Sequence, residues 1–528
     1  MEPKSETQEK PEIAKVEVEV SAAGHGHGHG HGHAHTHHTQ IGASHLYKED
    51  AEGNVIGRVL IPRPTNDPND PLTWAAWRKH IAFGTVCFYV LLSNFGLSAM
   101  TPGLTLVIED FGITPTQASY LVTLQILVLG VGNLFWIPLS LKIGKRPVMV
   151  ISSGLFFVAT IWSAVSKSYG SLLGSRIISG WCASASEAMG PAVVADLYFL
   201  HERATLTGTY TFMIGGGSAL GGIFGGLVVN ANSDWHWIFW MCAILTGVCF
   251  LLIVLFCAET NFIRPEDTEG LDNGQQELVT EMIRTKYHFG RSLKLWGWYD
   301  RETSLWLYFW RPLALLPYPA VFWASVCYGV TLGWVVFQLT ANALYFPQLY
   351  HFSALGVGNL YAANVIGALL GCIYAGPFCD WLIANITKRH GGYFKPEYRL
   401  YLMIMPFLLG PLGLLLWGFG LQNQLHWSVA AAGSGISYAV LCAVPNIGMT
   451  YVVDSYRPVA GEAMTSLTAF KNTFAFGISF AVYPWLAKDG PGKVAGYQTL
   501  IEGVLFAFTI PLFVYGERLR RWSSHFDV

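Results

Sequence analysis

The sequence predicts an all-α integral membrane protein, a twelve-helix bundle built from two six-helix repeats, and three observations carry that reading. Only 12% of the residues are charged while 52% are hydrophobic, about half the charge of an average soluble domain and too little to coat a water-facing surface. Apolar stretches long enough to cross roughly 30 Å of hydrocarbon recur along the chain. The residues that close two of these stretches in the first half return, in the same orientation, in the second.

The predicted spans lie near 80–101, 118–139, 148–166, 170–196, 207–229 and 236–257, then near 319–343, 357–378, 400–420, 427–450, 462–486 and 498–516. Nineteen Trp, 32 Phe and 56 Gly suit them, since aromatic rings anchor helices at the headgroups and small residues let helices approach in lipid. The expected organisation is a disordered tail over 1–79 with a His-rich tract, a six-helix bundle over 80–257 and a connecting loop over 258–318. A second bundle over 319–516 and a short tail over 517–528 complete it. The first seventy residues are polar and hold no cleavable signal, so span 1 is expected to serve as its own insertion signal. All nine cysteines lie in or beside apolar stretches without a C-x-x-C pair and read as small buried hydrophobes.

Charge sets the expected orientation. Fourteen Lys and Arg fall in the short loops and span ends on one side, against Lys167, Lys488 and Lys493 on the other. The positive-inside rule then places both termini and the 258–318 segment in the cytosol. The sequon Asn385-Ile-Thr387 falls on the inner side and is expected to stay unglycosylated. A net charge of -2 offers no basic field for nucleic acid.

The repeat is visible in residues. Span 2 ends in Ile137-Pro-Leu-Ser-Leu141-Lys-Ile-Gly-Lys-Arg146 and span 8 in Gly376-Pro-Phe-Cys-Asp380. Span 4 ends in Val194-Ala-Asp196 and runs on to Glu202-Arg203; span 10 ends in Val453-Asp454, followed by Arg457 and Glu462. Such parallel repeats mark transporter architectures. Further markers are Asn66-Asp-Pro-Asn-Asp-Pro-Leu-Thr-Trp74, Gly144-Lys-Arg-Pro147, Arg176-Ile-Ile-Ser-Gly180, His201-Glu-Arg203, Trp235-His-Trp-Ile-Phe-Trp240 and Glu259-Thr-Asn-Phe-Ile-Arg-Pro265. Together, over about 66–518, they make the chain resemble the major facilitator superfamily, and within it the fungal twelve-span drug:proton antiporter group. The resemblance implies a major-facilitator-type bundle and solute export driven by protons. It also implies that the arginine at the Arg176 position acts on a proton-binding carboxylate. Two positions depart from the group's pattern. Leu141-Lys142 stands where an acidic gate latch is expected, its second-half counterpart being Asp380, and Gly222 stands where the antiporter motif of span 5 has proline.

Ionisable groups inside spans cost roughly 2.5 to 3.5 kcal/mol each on insertion scales, so each needs a reason. Arg176 and Glu187 lie eleven residues apart on span 4, about 16 Å along one face. Glu187 reads as the proton-binding carboxylate, as a counter-ion for a cationic substrate, or as a packing residue. Lys471, followed by Asn472, reads as a ligand for an anionic group, as compensation for Glu187 across the cavity, or as a cation bonding backbone carbonyls. Asn94, Gln338, Asn342, Asn364 and Asn446 read singly as interhelical glue and as a set as cavity lining. Asp196, Glu202, Arg203, Asp380, Arg399, Asp454, Arg457 and Glu462 gather at the charged ends of spans, where ion pairs can gate a rocking equilibrium. Gly217, Gly221, Gly222, Gly225 and Gly226 lack the Lys-Ser/Thr of a phosphate loop and are expected to pack or hinge helices. The histidines from His25 to His38 can bind metal in vitro, but the spans lack the His/Asp pairs of a metal pathway, so no metal and no cofactor is assigned.

These readings converge on a secondary transporter rather than an enzyme. The expected partners are a small-molecule substrate, protons and membrane lipid, with a monomer in the plasma membrane as the working unit. Export of a drug or secondary metabolite leads; proton-driven uptake of an organic cation such as a polyamine is the alternative, and a non-transporting nutrient or metal sensor is the reading from another class.

Overall fold

A computed structural model describes residues 70–199, 202–262, 304–390, 393–456 and 459–523, together with strand segments at 44–45, 47–49 and 55–58. The His-rich tract, Arg457 and most of the 258–318 segment lie outside the described residues.

The first half contains span 1 (Ala76–Ser98), span 2 (Pro115–Ile143), span 3 (Lys145–Ala164), span 4 (Tyr169–Leu197), span 5 (Arg203–Asn232) and span 6 (His236–Phe256). The second contains span 7 (Pro319–Tyr350), span 8 (Ala354–Ile373), span 9 (Ile404–Gln422) and span 10 (Trp427–Ser455). Spans 11 and 12 run through Ala460–Ala507 and on into Thr509–Ser523, parted by the non-helical Gly490. The helical reach of 11 and 12 therefore exceeds the expected spans. Gly490 takes φ +73° and Pro491 can open the next helix, so the direction changes at one residue instead of in a loop. Among the described residues ten segments are long and apolar enough to cross a membrane; the two rods left out are span 4 and the first part of the Ala460–Ala507 helix.

Local chemistry explains the boundaries. Thr114 accepts from the Gln117 backbone N–H at 3.2 Å while the Gln117 side chain accepts from Thr114 N–H at 2.9 Å, a capping box with Pro115 at the first helical position. Gly144 at φ +104° joins spans 2 and 3 without a loop, and a Cβ there would strike the Glu259 carboxylate. That carboxylate in turn accepts from the backbone N–H groups of Lys145 and Arg146, both at 3.1 Å, at the start of span 3. Span 8 widens into a π-turn over Tyr374–Phe378 around Pro377, which cannot donate to the helical ladder, and resumes as Cys379–Arg389.

Two regions expected to be irregular are ordered. Within the tail, β2 (Tyr47–Glu49) pairs antiparallel with β3 (Val55–Arg58), and β1 (Ser44–His45) pairs with β4 (Tyr393–Phe394) between spans 8 and 9. Backbone pairing satisfies main-chain groups that a polar composition alone does not fix. Residues Leu305–Leu315, expected as loop, form a helix whose Trp306, Leu307 and Trp310 are exposed while Pro312 and Leu315 are buried. It is pinned to the start of span 11: Ser466 donates to the Pro312 carbonyl, and Arg311 lies 3.9 Å from Glu462.

The halves meet most extensively where span 5 packs on span 8 and span 2 on span 11, and further where span 5 meets span 10 and span 4 meets span 11. Glycine makes the first possible. Gly217, Gly221 and Gly225 abut the span 1 backbone at Leu91, Phe95 and Ala99, while Gly222 and Gly226 face Tyr361 and the Ala354 carbonyl of span 8. Side-chain volume on either stripe forces helices apart, at about 1 to 3 kcal/mol per overpacked site. Gly225→Leu is therefore expected to lower the thermal midpoint in lipid nanodiscs by several degrees, whereas Gly84→Ala, with open space around it, leaves it unchanged.

Candidate functional site: the contact between spans 4 and 11

Small residues prepare the site. Span 4 reads Ala183-Ser-Ala-Ser-Glu187-Ala-Met-Gly190, so its neighbours come close and Glu187 is 1% exposed. Lys471, 0% exposed, donates to Glu187 Oε2 at 2.8 Å. Asn472 donates to the same oxygen at 3.0 Å and Asn94 of span 1 reaches Oε1 at 3.4 Å. The Tyr210 hydroxyl of span 5 donates to the Glu187 backbone carbonyl at 2.5 Å. Lys471 Nζ also lies 4.7 Å from the centroid of the Tyr328 ring, a distance at which a ring quadrupole stabilises a cation. One carboxylate thus joins span 4 of the first half to span 11 of the second, and those are the two rods left out of the ten membrane-long apolar segments. Desolvating both charges is costly, and the three donors on the carboxylate offset that cost.

Arg176 does not pair with Glu187. Its guanidinium donates to the carbonyls of Leu121 (3.2 Å), Gly96 (3.0 Å) and Leu97 (3.4 Å), tying span 4 to spans 1 and 2, and it stands 5.5 Å from the Phe239 ring centre. A cavity of about 10 Å³ beside it is also lined by Gln125, Thr160, Ser163 and Ser179. Both amide atoms of Gln125 lack a partner among the described residues, and the space is about that of one water.

At the charged end of the bundle the halves are latched. Arg399 Nε donates to Asp454 Oδ2 at 2.6 Å, with the two side chains 1% and 0% exposed. Arg203 of span 5 lies 4.0 Å from Asp454 Oδ1. Asp380 is attracted electrostatically by Arg399, and its Oδ2 also accepts from Thr205 N–H at 2.8 Å and Thr205 Oγ1 at 2.6 Å. A second-half carboxylate thereby caps the N-terminus of span 5, where free N–H groups favour an anion. Asp196 pairs with Lys145, Glu462 lies near Arg311, and Glu202 attracts Lys79 electrostatically. At the opposite end a cavity of about 310 Å³ opens between spans 2 and 11, lined by Thr116, Tyr120, Thr123, Ser479, Phe480 and Ala487 among others.

A sequence profile described as Major Facilitator Superfamily matches residues 86–484. The chain belongs to the major facilitator superfamily. It is a multi-pass membrane transporter, not an enzyme. Among the chains it resembles, Protein HOL1 of Saccharomyces cerevisiae is 24% identical, over 91% of this chain and 93% of that one. The Cycloheximide resistance protein of Candida maltosa is 24% identical, over 87% and 84%. The solved structure of the proton:xylose symporter XylE bound to 6-bromo-6-deoxy-D-glucose superposes with a TM-score of 0.55 at 14% identity, covering 83% of this chain and 96% of that one. That likeness shows the fold.

Within the superfamily bundle, Asn94 and Asn472 converge on Glu187, and the other amides lie elsewhere. Gln338 donates to Ser437 Oγ at 3.1 Å, Asn342 accepts from Trp417 Nε1 at 2.8 Å, and Asn446 donates to the carbonyls of Ala375 (2.7 Å) and Ala204 (3.1 Å). Asn364 hydrogen-bonds Tyr438, whose hydroxyl accepts from Ser218 at 3.3 Å. All four join neighbouring helices. Among the described residues no cluster suited to a metal ion occurs. Sequence reasoning passed over Tyr210, Tyr328, Gln125 and Glu502. Tyr210 and Tyr328 are two of 24 tyrosines with no motif to single them out, whereas Glu502 is visible in the sequence as an acid near the start of the expected span 498–516.

Proposed function

We propose that this superfamily member exports a small organic solute in exchange for protons, by alternating access, with Glu187 as the proton-binding group. The observation that carries the reading is the buried Glu187–Lys471 contact, 2.8 Å long, between the two halves. Ionised Glu187 attracts Lys471 and holds spans 4 and 11 together. A proton on Glu187 removes that attraction, leaves the Lys471 ammonium without a counter-charge, and so favours separation and hydration of the two helices. Each proton entering down a 100 mV potential supplies about 2.3 kcal/mol for the return step. The loop-charge bias supports cytosolic termini and a cytosolic charged end, with the plasma membrane as the site of export. Uptake of an organic cation is the second reading. It is favoured by one feature: the site already holds an alkylammonium, that of Lys471, on Glu187.

Inside-out vesicles with an acid lumen test the proposal. Cycloheximide, taken from the name of a relative, and spermidine serve as probes. Export by exchange predicts cycloheximide accumulation in the lumen while the gradient lasts and its loss in Glu187→Gln. Spermidine leaving the lumen together with protons supports the cation reading instead. Accumulation that keeps its full proton dependence in Glu187→Gln overturns the assignment of that residue.

A further inference from the structure

Span 12 holds a carboxyl group that the proposed cycle does not use. Glu502 is 2% exposed and lies about twelve residues beyond the Gly490 kink, roughly 18 Å along the helix. It packs between spans 7 and 9. Neither of them contains an Asp, Glu, Lys, Arg or His anywhere in Pro319–Tyr350 or Ile404–Gln422. The titratable group that faces it from span 7 is the Cys327 thiol, and span 9 has no titratable residue at all. On its own helix the nearest charged residues in sequence are Lys493 and Glu517, more than about 13 Å away along the axis. Lys471, in the middle of neighbouring span 11, is bound to Glu187 at 2.8 Å.

The pocket is shaped around the carboxyl. Opposite it span 9 has Gly410, and a Cβ there would stand 2.5 Å from Glu502 Oε1 and 3.1 Å from its carboxyl carbon. One turn earlier on span 12, Gln498 is 0% exposed, and neither its amide oxygen nor its amide nitrogen has a partner among the described residues. Residues four apart on a helix meet side by side. An ionised carboxylate with no cation in hydrocarbon is prohibitively costly, whereas a carboxylic acid has one O–H to give, and the Gln498 oxygen is an acceptor left open.

We propose that Glu502 and Gln498 form a second proton-binding site, separate from Glu187, in which the Glu502 carboxyl carries a proton in this conformation and donates it to the Gln498 amide oxygen. The site is closed on the span 7 side by Cys327, whose Sγ approaches the Leu505 carbonyl at 4.0 Å. Release of the proton needs water, so loading follows the position of span 7. The Gln498 amide nitrogen is the donor that would receive that water.

Dicyclohexylcarbodiimide, an apolar reagent that reacts with protonated carboxyl groups, provides the test on the full chain in lipid nanodiscs. The acid O–H adds across one C=N bond, and the O-acylisourea rearranges to a stable N-acylurea that peptide mass spectrometry locates. The expected result is an adduct on Glu502 at neutral pH that falls at least tenfold at strongly alkaline pH, and none in Glu502→Gln. Glutamine reproduces the shape of the neutral acid, so that variant is expected to fold with an unchanged thermal midpoint. Absence of the adduct at every pH overturns the proposal, as does an adduct independent of pH, which marks a proton that never exchanges. Glu187→Gln in the same assay keeps the two sites apart, because its Glu502 adduct is expected to persist.

Discussion

Replacing Lys471 with methionine is expected to cost about 3 to 5 kcal/mol of stability and to abolish solute-coupled proton flux. The substitution conserves length and removes the ammonium that lies 2.8 Å from Glu187 Oε2. What remains is a carboxylate 1% exposed, with only the amides of Asn94 and Asn472 on its oxygens among the described residues. The loss is that of an uncompensated buried charge, not of a pair's net worth, and a second substitution shows the difference. Glu187→Gln in the Lys471→Met background removes the orphan charge and is expected to restore most of the stability while transport stays absent. A coupling energy near zero in that double-mutant cycle, followed by urea unfolding in detergent, contradicts the assignment of the contact as a buried ion pair.

The second large effect is at the charged end. Asp454→Ala takes from Arg399, which is 1% exposed, its acceptor at 2.6 Å and leaves it only the electrostatic attraction of Asp380 among the described carboxylates, and it also removes the carboxylate 4.0 Å from Arg203. A loss of about 3 to 5 kcal/mol is expected here too. The closed state of that end is expected to become less populated, since the Arg203 contact spans both halves. Lys395→Ala provides the contrast. Its partner Glu517 is 3.8 Å away with both side chains about a third exposed, and pairs in water contribute about 0 to 1 kcal/mol. Thermal unfolding should therefore separate the two variants by several degrees, with the accessibility of a probe cysteine at the charged end rising in Asp454→Ala alone.

How much of this was legible depends on the physical signal. Span number, repeat and family follow from hydropathy and from end motifs such as Gly144-Lys-Arg-Pro147, which are local in sequence. Candidate charges were legible for the same reason: an ion in an apolar run demands explanation wherever it is. Their partners were not. Arg176 and Glu187 share a helix face, yet the arginine turns to the carbonyls of Gly96, Leu97 and Leu121, and the glutamate finds Lys471, 284 residues away. Asp380, expected among the charges at the span ends, feels Arg399 and in addition caps the N-terminus of span 5 through Thr205. Backbone N–H groups carry no sequence signature, so a carboxylate that binds them cannot be told from one that binds an arginine. Gly490 shows the same limit for the fold, because a single residue of positive φ replaces an expected loop.

The most direct test of Glu187 as the switch is a distance. Spin labels at Thr116 of span 2 and Ala487 of span 11 flank the cavity between those helices, and pulsed electron resonance reads their separation in nanodiscs. Acidification of the wild-type protein is expected to shift the distance distribution, and Glu187→Gln is expected to show the shifted distribution at every pH. A Glu187→Gln protein that keeps the wild-type distribution and still responds to acid would contradict it.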